Sequence, residues 1–185
     1  MPSRAVLGRY TITFAARQAC APSRRSSSRG ASIAKHLSGC DRVIFLAATV
    51  GEGIEQESSR RFEAGGYASA MLLDAAATAA VEQVADAMED AIRPGILREG
   101  YRMRWRFSPG YGDWPLSQQP DALRLSGGER IGVSLTDALM LMPRKSITAV
   151  IGLARNEKAS SGERAGNQTP KGCAACGMKD CPFRR

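Results

Sequence analysis

From position 106 the chain reads Arg-Phe-Ser-Pro-Gly-Tyr. A planar guanidinium can grip a carboxylate through two parallel N–H bonds, so Arg106 is a candidate anion ligand. Pro109 sets its own φ and Gly110 allows positive φ. Together they hold Arg106 and Tyr111 on either side of one tight turn. That is a compact site for a zwitterionic ligand with an aromatic head. Taken alone, the same residues also fit an ordinary strand arginine and a turn tyrosine.

A second constellation lies near the C-terminus. Cys173, Cys176 and Cys181 fall within nine residues. Three thiolates at that spacing could hold zinc or an iron–sulfur cluster, both of which usually need a fourth ligand. Cys20, Cys40 and His36 are candidates, none at motif spacing. A flexible tail of reduced thiols is the other reading. The polar surroundings, unlike those of a buried core cysteine, tip the balance slightly toward a metal or cluster, so a metal or iron–sulfur redox accessory protein is the alternative functional reading. His36, the single histidine, reads as a surface or packing residue. No motif places a serine or cysteine beside it, so no nucleophile–histidine pair is expected.

Charge narrows the partners. The net charge is +8, but residues 1–40 hold seven basic side chains and no acid. Residues 41–185 hold 19 basic and 18 acidic side chains. The body is nearly neutral, which argues against nucleic acid as the partner of the arginine face Arg102, Arg104 and Arg106. The basic stretch 1–30 reads as a disordered leader, with a transit peptide or nucleic-acid tether as the other options. The longest apolar run, 43–48, is far too short to span a bilayer. Neither a secretory signal nor a disulfide framework is visible, so a cytoplasmic location is expected.

These candidates need elements to position them. A short helix is expected over 31–39 and a buried strand over 43–48. A polar helix follows over 52–62. Over 67–92, Leu72, Ala76, Ala79, Ala80, Val84 and Met88 form the apolar stripe of one long helix, which Pro94 and Gly95 should end. Residues 101–107 alternate with period two and predict a half-buried strand leading into the Pro-Gly turn. A helix over 116–125 has Ser117 as its expected N-cap. Strands are expected over 131–135 and 147–153, and a weak one over 10–14. This order is α+β, with antiparallel strands and helices on one side. No glycine-rich loop follows a strand, which argues against a Rossmann-type methyltransferase.

The order Arg-x-x-Pro-Gly-Tyr from Arg106, Leu135-Thr136-Asp137, Met142-Pro143 and Ser146-Ile147-Thr148-Ala149 resembles the activation domain of cobalamin-dependent methionine synthase. Upstream, 32–37 and 47–51 resemble its short stand-alone members. The resemblance covers roughly 31–153, leaving 154–185 as a polar linker and cysteine-rich tail. It implies a twisted antiparallel sheet with helices packed on it. It also implies a protein that binds S-adenosylmethionine and supports reductive remethylation of cob(II)alamin, without being a complete enzyme. Cobalamin would be carried by a partner methionine synthase, and a flavodoxin-like or other reductant would supply the electron. By resemblance Arg106 meets the ligand's carboxylate and Tyr111 lines the pocket. Glu82 matches a helix glutamate that faces the ligand. Two features of the large form, an aspartate near its entry and a late tyrosine, have no counterpart here.

Overall fold

The computed structural model describes residues 3–7, 10–20 and 30–155. Its centre is a five-stranded antiparallel sheet of order β1-β2-β3-β7-β4. The strands are β1 (Ser3–Leu7), β2 (Tyr10–Cys20), β3 (Cys40–Thr49), β4 (Tyr101–Met103) and β7 (Ser146–Arg155). A small hairpin joins β5 (Ser134–Leu135) to β6 (Leu141–Met142). The helices are α1 (Ala31–His36), α2 (Gly53–Glu63), α3 (Tyr67–Arg98) and α4 (Gln119–Ser126).

β3 and β7 are covered on both faces, which is why each reads as an unbroken apolar run rather than an alternation. On one face Ile44, Leu46, Ala149, Ile151 and Leu153 pack with Met88 and Ile96 of α3. Ala48 and Val50 continue that layer against Ile54 of α2 and Ala77, Val81 and Val84 of α3. On the other face Val43 and Val150 meet Ile33, Phe107 and Trp114. There Gln119 of α4 donates from Nε2 to Thr148 Oγ1 at 2.8 Å, pairing two buried polar groups across the interface.

Several expectations change in three dimensions. α3 does not stop at Pro94 but runs to Arg98. A proline inside a helix costs about 3 kcal/mol. Ile96, buried one turn from the end against Tyr101 and Leu153, supplies the packing that holds the last turn. The strand expected over 101–107 is regular only over Tyr101–Met103, though Phe107 rejoins β7 by a bridge to Val150. Ser117 caps no helix: it lies inside the 3₁₀ turn Leu116–Gln118 that leads into α4. The strand expected over 131–135 shrinks to Ser134–Leu135, because Gly128–Ile131 is a 3₁₀ turn ending at Gly132 with φ 83°.

The stretch set aside as a basic leader also contributes to the sheet. β2 pairs with β3 from Thr13↔Thr49 to Cys20↔Arg42, and β1 pairs with β2. β3 is buried, and its outer row of N–H and C=O groups needs a partner that neither helix layer can supply. The weak strand read over 10–14 is thus the start of a longer one. Residues 21–29, also within that leader, lie outside the described residues.

Candidate functional site

The site begins where the β4 segment leaves β7. Arg104 N donates to Gly152 O at 2.8 Å, and Phe107 and Val150 exchange bonds of 2.9 and 2.8 Å. The chain then turns away. Tyr111 N donates to Ser108 O at 3.2 Å, with Pro109 and Gly110 central and Gly110 at φ 90°. Proline followed by a positive-φ glycine is the signature of a type II turn. The departure leaves the β7 edge at Ser146, Ile147 and Thr148 to line a cavity. The β5–β6 hairpin closes its other side through Met140 and Met142.

That cavity has a volume of about 520 Å³. Glu82, Arg106, Pro109 and Tyr111 all line it, so the structure gathers four of the five residues singled out in sequence. Gly110 does not line it but gives the turn its shape, and the nearest contact of a Cβ there would be Leu116 Cδ1 at 3.6 Å. Tyr111 is exposed at the mouth, its ring edge-on to Phe107 at 6.2 Å between centroids.

Arg106 is bound to the protein rather than poised in an open pocket. Nη1 donates to Asp86 Oδ1 and to Glu89 Oε1, each at 2.6 Å. Nη2 donates to Glu82 Oε2 at 2.6 Å. The three acids stand at i, i+4 and i+7 on α3, one face of the helix. Burial works against the arginine's charge, but hydrogen bonds to Asp86, Glu89 and Glu82 outweigh it and raise its pKa above the ordinary value. Glu89 is the buried member, with a side chain 3% exposed, whereas Glu82 is 49% exposed and reaches the cavity wall. The expected Glu82–ligand and Arg106–ligand roles therefore start from a Glu82–Arg106 ion pair.

The turn is tied down from outside the cavity. Asp113 Oδ2 and Oδ1 accept from Ala31 N at 2.6 Å and Ser32 N at 2.8 Å, capping a helix whose own N-cap is Gly30. The Ser32 backbone bond, chiefly, holds the Asp113 carboxyl below its ordinary pKa. Gly112 permits the close approach: a Cβ there would lie 3.0 Å from Ser32 Oγ. Sequence inspection missed this cap because the acid lies 82 residues from the helix it serves.

Sequence inspection also missed Arg144, which lines the cavity from the β6–β7 connection. Its Nε lies 3.4 Å from Glu55 Oε2, and Lys145 N donates to Glu55 Oε1 at 2.8 Å. Glu55 is buried, so this clamp fixes the connection to α2.

His36 is a packing residue. Its ring stands 4.4 Å from Trp105 and 5.3 Å from Phe107. Nε2 is buried without a hydrogen-bond partner. Burial, chiefly, lowers its pKa, with the Arg104 charge acting in the same direction against a Trp105 backbone hydrogen bond. Cys173, Cys176 and Cys181 lie outside the described residues, as do residues 156–185 in general. Ala154 and Arg155, expected to begin the polar linker, instead end β7, where they pair with Arg102 and Tyr101 of β4. Among the described residues no group of three or more His, Cys, Asp or Glu side chains could hold a metal ion. No described helix is long and apolar enough to cross a membrane.

No family model and no curated protein matches the chain. Among solved structures it is similar to the MetH reactivation domain bound to AdoHcy, with a TM-score of 0.56 and 14% identity. The match covers 77% of this chain and 58% of that one, so this chain spans less than two thirds of its length. At that identity the likeness establishes the fold. It is α+β, an antiparallel sheet packed against helices, as in the MetH reactivation domain.

Proposed function

We propose that the chain binds S-adenosylmethionine in the cavity walled by Glu82, Arg106, Pro109 and Tyr111, with Gly110 shaping the turn. It would act as a stand-alone activation component for a separate cobalamin-dependent methionine synthase. The observation that carries this reading is the convergence of those four residues on one cavity in a MetH reactivation-like fold. The similar solved domain holds AdoHcy, which shares the adenosyl and amino-acid parts of the proposed ligand.

The cavity suits such a molecule. Its volume of about 520 Å³ falls within the roughly 300–1,000 Å³ of small-molecule sites. Leu116, Met140 and Ile147 give it apolar walls, and Gln119, Thr136 and Thr148 add polar groups. The exposed Tyr111 ring offers a face to a purine. Glu82, half-exposed at the cavity wall, offers a carboxylate oxygen to the ligand's ammonium or sulfonium charge.

The sulfonium methyl donor supplies its own leaving group, and the acceptor would be the reduced corrinoid of the partner protein. The work left to this chain is positioning. Arg106 holds Glu82 at the cavity wall, the Pro109–Gly110 turn fixes Tyr111, and Asp113 fixes that turn against α1. A flavodoxin-like or other reductant would complete the system.

Calorimetric titration with S-adenosylmethionine tests the reading. Saturable one-to-one binding is expected, weakened by about 1 kcal/mol in Tyr111→Ala through loss of the aromatic contact. Absence of binding by the unaltered protein rejects the assignment. Adding the protein to a corrinoid methionine synthase stalled as cob(II)alamin, with reductant and methyl donor, should restore turnover.

A further inference from the structure

We infer that Glu82 gates Arg106: it holds one nitrogen of the guanidinium and yields it only to a ligand that brings a cation together with its carboxylate. The inference rests on the S-adenosylmethionine reading above and gives that site a basis for selection. The three acids around Arg106 divide into two duties. Nη1 donates to Asp86 and Glu89, each at 2.6 Å, and neither of these residues lines the cavity. Glu89 is 3% exposed, so moving Arg106 away would strand a buried charge. That side of the guanidinium is fixed. Nη2 donates to Glu82 at 2.6 Å. Glu82 does line the cavity, and its side chain is 49% exposed. Water can solvate its carboxylate, so this bond is the exchangeable one.

A ligand carboxylate that reaches Arg106 from the cavity arrives beside Glu82. Two carboxylates at one guanidinium repel each other unless one departs or a cation comes between them. An amino-acid moiety resolves the conflict within itself. Its carboxylate takes the place of Glu82 on Arg106, and its ammonium, one carbon away, pairs the displaced Glu82. The exchange ends with every charge matched. An adenosine-bearing anion without the ammonium leaves Glu82 unmatched at the cavity wall and is disfavoured. Arg106 alone, a fixed positive charge, would accept any anion of suitable shape. Glu82 makes the same site choose zwitterions, because specificity needs a repulsive element as well as an attractive one.

The experiment uses AdoHcy, whose sulfur is uncharged so that the ammonium is its one cation, and a deaminated analogue in which hydrogen replaces the amino group. Both are titrated by calorimetry into the unaltered full chain, Glu82→Gln and Glu82→Ala, beside S-adenosylmethionine into the unaltered chain. The deaminated analogue should bind Glu82→Gln and Glu82→Ala about 10-fold more tightly than it binds the unaltered chain, because the repelling carboxylate is gone. AdoHcy should bind both variants about 10-fold more weakly, because its ammonium loses its partner. The two ligands thus move in opposite directions, which a damaged cavity cannot produce. Unchanged or weaker binding of the deaminated analogue by either variant overturns the inference and leaves the functional reading standing. No binding of S-adenosylmethionine by the unaltered chain overturns the functional reading and this inference with it.

Discussion

Arg106 and Arg144 line the same cavity and differ in almost every physical respect. Arg106 has a side chain only 20% exposed and is fixed by three acids on one helix face. Arg144 is mostly exposed and is held by one atom of one buried acid. The first arrangement ties β4 and the following turn to α3, where a charge removed from water must be matched by several partners. The second keeps a charge accessible at the cavity wall. Residue type and sequence motif drew attention to Arg106; the structure adds that it is stapled to α3, while Arg144 stays exposed at the same cavity wall.

The comparison is broken most severely at Glu89. In Arg106→Ala this carboxylate, 3% exposed, loses its partner at 2.6 Å and keeps only the longer contact to Arg93 at 4.0 Å. Removing one member of a buried ion pair costs about 3–5 kcal/mol, and the half-exposed Glu82 and Asp86 should place this variant at the lower end. Urea denaturation checks it; a loss below about 1 kcal/mol would show that the cluster behaves as a surface ion pair. A double variant, Arg106→Met with Glu89→Leu, should recover most of the loss, because the stranded charge goes with the arginine.

A smaller effect is expected from Glu82→Gln. Its carboxylate is half exposed and Arg106 keeps Asp86 and Glu89, so stability should fall by no more than about 1 kcal/mol. Ligand affinity should fall more than stability does, since Glu82 lines the cavity. Parallel melting and titration curves separate the two. Arg144→Gln should change stability least, within about 0.5 kcal/mol, because Glu55 retains its bond from Lys145 N.

A pH series sharpens the contrast from outside the cluster. Arg106 stays charged throughout the neutral range, whereas His36 packs on Trp105 and Phe107, the residues on either side of it. The folded-state pKa of His36 is lowered, so between that value and the ordinary 6.5 the unfolded chain binds more protons than the folded one. Its contribution is therefore complete above about pH 6.5 and is lost as pH falls through that window. His36→Phe should remove the slope between pH 7 and 5, read from denaturation midpoints. An unchanged slope would place the titrating group elsewhere.

Much of the fold was legible because its causes are local. The apolar runs at 43–48 and 147–153 announced strands buried on both faces, and the helix formers over 67–92 announced the long helix. Its stripe was misplaced: Ala77, Val81, Val84, Ala85 and Met88 are buried, while Leu72, Ala76 and Ala79 face outward because α2 and the sheet cover the other side. The turn over 108–111 followed from what proline and glycine each do to φ. Gathering Glu82, Arg106, Pro109 and Tyr111 at one cavity was visible only through a family resemblance, since nothing local to α3 says which segment will cross its acidic face.

The rest depended on partners far away in sequence. Helix α3 continues past Pro94 because Ile96 finds a core, a gain that no propensity near position 94 reports. Residues 10–20, within the stretch read as a basic leader, join the sheet because β3 has an open edge, a requirement set by another strand. Asp113 caps a helix 82 residues before it. The roles of the two arginines were decided in the same way. Sequence alone determined that both carry a fixed positive charge. Only the tertiary structure decided how many carboxylates each would meet, because an ion pair depends on distances of a few ångströms between groups that the chain keeps tens of residues apart.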